Sequence, residues 1–238
     1  STVYTVFMYS NIECVMSALL QQLARRQLLW HGNSQQAAYQ AVSSGYPQLD
    51  QQLAGGFPST GLIDIQTDTG IGELRLLLPY LQQQQQRSGR LLVFISPPAQ
   101  PCADMLAAAG IVLSQLVIIT PKTAKEALWA AEQCLQSGCA AAVLVWQVPL
   151  KLALARRLQL AAEQGAASLV LLRRPAAGLS LPVNLSLELT PHRQGLQLSV
   201  HKRKGGWPAA AFLLDMQQKW PALYPAADSP ALPQRKAG

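Results

Sequence analysis

From residue 61 to residue 173, continuous apolar runs alternate with stretches in which apolar positions recur every three or four residues. The runs are "GLIDIQT", "RLLVFIS", "LVIIT", "AAAVLVW" and "ASLVLLR". Helical patterns fall between them at Glu73–Gln86, Cys102–Ala109, Ala124–Gln136 and Leu150–Gln164. Short runs with no polar face suit strands covered on both sides, and the intervening helices supply crossovers. The pattern therefore predicts an α/β domain with a mainly parallel central sheet and helices on both faces. Thr123 and Glu126 form a capping-box pair at one helix start. Gly138 and Gly165 stand where helices end on glycine. The Gln82–Gln86 run reads as the solvated end of a helix, with a polar adhesive surface as the alternative.

After Pro175 the period changes. "LSLELT" and "GLQLSVHKRK" alternate apolar and polar positions around "PHRQG", which predicts a C-terminal β-hairpin. Upstream, Leu19, Leu20, Leu23, Leu28 and Leu29 make one apolar face, with Arg25 and Arg26 on the other side of an amphipathic helix. The expected organisation is an extension over residues 1–44 with a docking helix at 16–30, an α/β domain over 45–215, and a proline-rich basic tail over 216–238. The tail is expected to be flexible, with Trp220 and Tyr224 as anchors.

Composition narrows this picture. Of 238 residues, 50% are hydrophobic and 13% charged, which favours a filled core over disorder. The formal net charge of +7 permits an acidic partner or nucleic acid. No apolar run approaches the roughly 20 residues of a membrane span, and residues 1–15 lack the layout of a signal peptide. That segment follows no helical period, so translation starting at Met8 or Met16 is one expectation. Cys14, Cys102, Cys134 and Cys139 show no CxxC pairing and no histidines at metal spacing, so they read as buried free thiols in a reducing cytoplasm. No metal and no cofactor is expected.

The candidate chemistry centres on "TDTGIGEL", between a predicted strand and helix. A working phosphate loop, GxxxxGK[ST], wraps phosphates in backbone N–H groups, reaches them with lysine and binds Mg²⁺ through a hydroxyl. With Gly72 aligned to the second glycine, Thr67 replaces the first, Glu73 the lysine and Leu74 the hydroxyl residue, with Gly70 between. A carboxylate at the lysine position repels triphosphate by several kcal/mol in a partly desolvated site. "AAAVLVWQV" also ends in Trp146 and Gln147, where an aspartate would hold Mg²⁺. The two losses together predict a non-enzyme. The plainer reading is an ordinary strand-to-helix turn, with Glu73 favouring the helix start electrostatically.

The lead-in "GYPQLDQQLAGGFPSTGLIDI", this degenerate Walker A loop and the late "VHKRKGGWPAAAFLLD" resemble the RecA/RadA superfamily. That resemblance implies a RecA-like P-loop NTPase fold. Segments from Gly45 to Asp215 are more closely similar to the ImuA family. ImuA-like proteins are SOS-response adaptors of translesion synthesis, which implies an ImuB-type polymerase homologue, a DnaE-type polymerase and RecA as partners. Residues from Leu76 to Pro175 also resemble the SulA family of division inhibitors, which implies FtsZ as the alternative partner. Codons for Thr5 to Ser10 can be chosen to spell an SOS-repressor operator, in keeping with either.

Candidate contacts to DNA or a partner are Leu20, Leu23, Arg25, Arg26, Arg173, Arg174, Lys202, Arg203 and Lys204. Each has a bland counterpart. The first helix could pack on its own sheet. The Lys202–Lys204 run could contact DNA phosphates or merely discourage strand pairing. Arg173 and Arg174 end a strand at the carboxyl edge where α/β folds bind ligands, or form a salt-bridged rim. Trp207 is a partner anchor or, as the plainer expectation, core.

Overall fold

Two short strands, β1 (Ala41–Val42) and β2 (Phe57–Pro58), pair antiparallel in the computed structural model, which describes residues 39–175 and 181–221. Eight further strands form one sheet: β3 (Gly61–Gln66), β4 (Leu91–Ile95), β5 (Leu116–Ile119), β6 (Ala140–Trp146), β7 (Ser168–Arg173), β8 (Leu185–His192), β9 (Gly195–Arg203) and β10 (Ala209–Asp215). Their spatial order is β10-β9-β8-β3-β7-β6-β4-β5. Between them run α1 (Pro47–Gln52), α2 (Glu73–Ser88), α3 (Ala103–Ala108), α4 (Ala124–Gln136) and α5 (Leu152–Gln164).

Every residue of β6 and β7 is buried, because helices cover both faces there. The strand period of two then sends alternate side chains into separate cores. Ala142, Leu144 and Trp146 join α2 and α3, while Val143 and Val145 join α4 and α5. Gly165 permits a close approach behind α5: a Cβ there would collide with the Leu135 carbonyl at the end of α4. Thr123 caps α4 by accepting the Glu126 N–H, and the Glu126 carboxylate reaches back to the Lys122 N–H at 2.9 Å.

The expectation of a RecA-like P-loop NTPase fold with a mainly parallel sheet requires correction, because the sheet is mixed. β8 pairs parallel with β3 but antiparallel with β9, and β9 antiparallel with β10. The reason is local. Only Arg193 and Gln194 separate β8 from β9, and so short a link can join antiparallel strands but cannot make a parallel crossover, which takes about a dozen residues or more.

The glutamine run also departs from expectation. Gln84 and Gln85 are buried rather than solvated. Gln84 Nε2 donates to the Ser59 carbonyl at 2.7 Å and to the Tyr80 hydroxyl at 3.1 Å. Gln85 accepts the Val112 N–H at 2.8 Å and donates to the Val112 carbonyl at 3.1 Å. Amides thus stitch α2 to backbone outside the strands, at Ser59 and Val112. Pro79 inside α2 deprives the Arg75 carbonyl of its usual donor, and the Tyr46 hydroxyl approaches it at 3.5 Å. Trp220 donates to that same hydroxyl at 3.1 Å, while Arg75 lies over the Trp220 ring.

Candidate functional site

The turn between β3 and α2 has the strand–loop–helix placement of a phosphate site but is filled by the protein itself. Gly70 (φ 85°) and Gly72 (φ 112°) adopt left-handed backbone open to glycine, which turns successive N–H groups inward. The Glu73 carboxylate folds back onto them. Its Oε1 and Oε2 accept the Gly70 N–H at 3.0 and 3.1 Å, and Oε2 accepts the Gly72 N–H at 3.1 Å. Glu73 is only 4% exposed. A carboxylate on the first residue of α2 therefore sits where an anionic ligand would accept the same donors and meet the same helix dipole. Thr67 is buried, its hydroxyl donating to the Asp68 carbonyl at 2.8 Å, and Leu74 packs against the α2-side core.

Neighbouring positions follow the same pattern. Trp146 ends β6 buried, edge-on to Phe94 at 5.4 Å between ring centroids. Gln147 turns into left-handed backbone (φ 49°) and donates from Nε2 to the Thr69 hydroxyl at 3.2 Å. Beside the loop, a cleft runs along Pro97–Pro101, Met105 and Arg75. Among the described residues, no group of three or more His, Cys, Asp and Glu gathers to hold a metal ion, and no helix is long and apolar enough to cross a membrane.

Arg173 does not reach outward at the carboxyl edge. It is buried and forms a two-point ion pair with Asp64, Nε to Oδ1 at 2.6 Å and Nη2 to Oδ2 at 2.8 Å. Ser186 adds a hydrogen bond to Oδ2 at 3.1 Å, tying β3, β7 and β8 together. Asp64 was not among the sequence candidates; its signal is a lone acid inside the apolar run "GLIDI". Arg174 is exposed, 4.0 Å from Asp68 and loosely paired.

The basic run at the end of β9 is split. Opposite Ser186, Lys202 donates to the Leu181 carbonyl at 3.1 Å. Arg203, opposite Leu185, lies against Gly206, and its buried Nε has no hydrogen-bond partner. Lys204 is exposed, and Trp207, expected in the core, stands 87% exposed. Leu20, Leu23, Arg25 and Arg26 lie outside the described residues, as does Cys14. Cys102 and Cys139 are exposed and Cys134 is half-buried, which corrects the expectation of buried thiols.

Burial shifts several titrations. Desolvation pushes the Tyr39 phenol up to about 12, against the opposing pull of Arg203. It raises Tyr80 further, despite hydrogen bonds from Ser168 and Gln84. Desolvation also raises Cys134 and lowers Lys219, the latter opposed by Asp50.

A belt of exposed apolar residues lies away from the loop. On the edge strand β5, Val117 and Ile118 are exposed, as are Val112 and Leu113 just before it. On the helical face, Trp129 (63%) projects from α4, and Leu152 and Leu160 (57%) from α5. Leu128, Trp129, Leu154 and Leu158 line a groove between these two helices, closed by the Arg157–Glu132 ion pair at 2.7 Å.

Comparison with known proteins places these features. The family described as "Cell division inhibitor SulA" matches residues 63–168, from β3 through α5. The chain is 34% identical over 131 residues to the cell division inhibitor SulA of Edwardsiella piscicida, covering 53% of this chain and 76% of that protein. It is 29% identical over 138 residues to the protein RecA of Teredinibacter turnerae, covering 55% of this chain but 40% of RecA. A solved structure of SulA from Pseudomonas aeruginosa aligns at 28% identity with a TM-score of 0.41, covering 48% of this chain and 98% of that one.

Proposed function

Because this chain belongs to the SulA family, we propose that it is a non-catalytic inhibitor of cell division, acting in the cytoplasm during the SOS response by binding FtsZ and blocking septum formation. One observation carries the reading. The exposed apolar belt at β5, α4 and α5 falls wholly within the family-matched residues, whereas the loop that would serve an enzyme is occupied by Glu73. Exposed large side chains on β5, α4 and α5 suit a protein partner. The carboxylate in the loop favours binding over nucleotide turnover.

Expression of the chain in a rod-shaped bacterium is expected to cause filamentation, and the purified protein to withdraw FtsZ from polymers in a sedimentation assay. Val117→Asp and Trp129→Ala should each weaken FtsZ binding, by about 30-fold for a residue at the centre of the contact. Normal division on expression, with FtsZ polymers untouched, would refute the proposal.

A second reading is a translesion adaptor working with an ImuB-type polymerase homologue, a DnaE-type polymerase and RecA. It is favoured by the similarity to RecA and by strands β8–β10, which lie beyond the family-matched residues. It predicts that deletion abolishes damage-induced mutation while division stays normal.

A further inference from the structure

The β9–β10 turn, "KRKGGWP", is used neither by the loop nor by the apolar belt. β9 runs antiparallel to β8, which parallels β3, so this turn lies at the amino edge of the sheet, opposite Glu73. It also lies outside the family-matched residues 63–168. Three features combine there. Trp207 is 87% exposed, which strands an apolar indole in water at a cost that packing against the nearby sheet would have avoided. Lys204, three residues before it, is an exposed cation, and from residue 201 to residue 214 the chain carries no acid. The nearest cross-strand carboxylate, Glu188, is held by His201 at 2.8 Å. The turn passes through Gly205 (φ 77°) and Gly206, and the Arg203 guanidinium fills the space that a side chain at Gly206 would take.

We propose that this turn binds single-stranded nucleic acid, the Trp207 indole stacking on a base while Lys204 holds a flanking phosphate. A nucleobase needs only one free ring face, and stacking plus phosphate contact tolerates any sequence. An acidic protein would satisfy Lys204 but would need an apolar pocket of its own for the indole, whereas a base supplies a stacking face and its backbone the phosphate. The site is independent of the FtsZ reading, because it shares no residue with the apolar belt.

The test uses the full chain and fluorescence anisotropy with labelled single-stranded oligo-dT and oligo-rU of about 15 nucleotides, at low salt. Binding to at least one is expected, and their ratio tells DNA from RNA. Trp207→Ala should weaken it at least about fivefold, while Trp207→Phe keeps most of it. Lys204→Gln should lower the slope of log affinity against log salt by about 0.7, one phosphate contact on a single strand. FtsZ sedimentation should be unchanged in all three variants, so loss here and loss there are separate results. The proposal is overturned if neither oligonucleotide binds, if Trp207→Ala binds as wild type does, or if duplex DNA or polyglutamate binds as tightly as the single strands.

Discussion

Replacing Glu73 by alanine removes the only acceptor that the described residues offer the Gly70 and Gly72 N–H groups. Charge-assisted hydrogen bonds of this kind contribute about 1.5–3 kcal/mol each. Loss of the negative charge at the start of α2 costs about 0.5–1 kcal/mol more. Water entering from the cleft at Pro97–Pro101 offsets part of this, because the cleft borders the loop. The net destabilisation is therefore about 2–4 kcal/mol. For a domain of this size each kcal/mol moves the unfolding midpoint by roughly 2–4 °C, so a fall on the order of 5–15 °C is expected. Glu73→Gln keeps one acceptor oxygen without the charge and should fall between wild type and alanine. Thermal unfolding followed by circular dichroism measures all three, with and without Mg·ATP, which should leave the wild-type midpoint unmoved. An alanine variant within about 1 °C of wild type would show that the carboxylate does not hold the loop. Stabilisation of the wild type by Mg·ATP would show that it does not exclude nucleotide.

Arg173→Met strips Asp64 of its two-point partner in a buried site and should cost about 3–5 kcal/mol by urea denaturation; adding Asp64→Leu to it should recover much of the loss. Gln85→Ala leaves the Val112 N–H without its acceptor, while the Val112 carbonyl keeps the Gln115 N–H at 3.0 Å, and should cost about 1–3 kcal/mol, whereas Gln86→Ala, at an exposed position, should stay within about 0.5 kcal/mol of wild type in the same assay. Tyr39 favours its neutral form in the fold, so its contribution to stability is complete below the unfolded value of 10.0, declines as pH rises beyond it and is lost by about 12. Urea midpoints measured across that window should fall with pH, and fall less steeply in Tyr39→Phe.

The strands and helices of residues 61–173 were legible because their information is local. For β3, β4, β6 and β7 an apolar run too uniform for one exposed face marked a covered strand, whereas the equally apolar β5 is an edge strand with Val117 and Ile118 exposed, and the three-to-four period marks the helices between. The C-terminal hairpin was equally plain from its turn and alternation. Its consequence for the sheet was not drawn, and the alternation of strands and helices led to a mainly parallel expectation that the antiparallel β8–β10 edge corrects. Glu73 was legible as the wrong charge for a phosphate, though not as a ligand for its own loop.

Other features depended on partners distant along the chain. Five glutamines look alike in a sequence, yet Gln84 and Gln85 are buried because backbone at Ser59 and Val112 comes to them across the fold. Arg173 looks like a free cation until Asp64, 109 residues earlier in the chain, meets it from the adjacent strand. Trp207 suits a core by hydrophobicity alone, and its exposure follows from its place in the turn of an edge hairpin, where none of the described residues covers it. Periodicity encodes which face of an element is covered, because neighbours three or two residues apart share that face. Which polar group finds a partner, and which large side chain is left in water, is a contact between segments, and such contacts exist only once the chain has closed on itself.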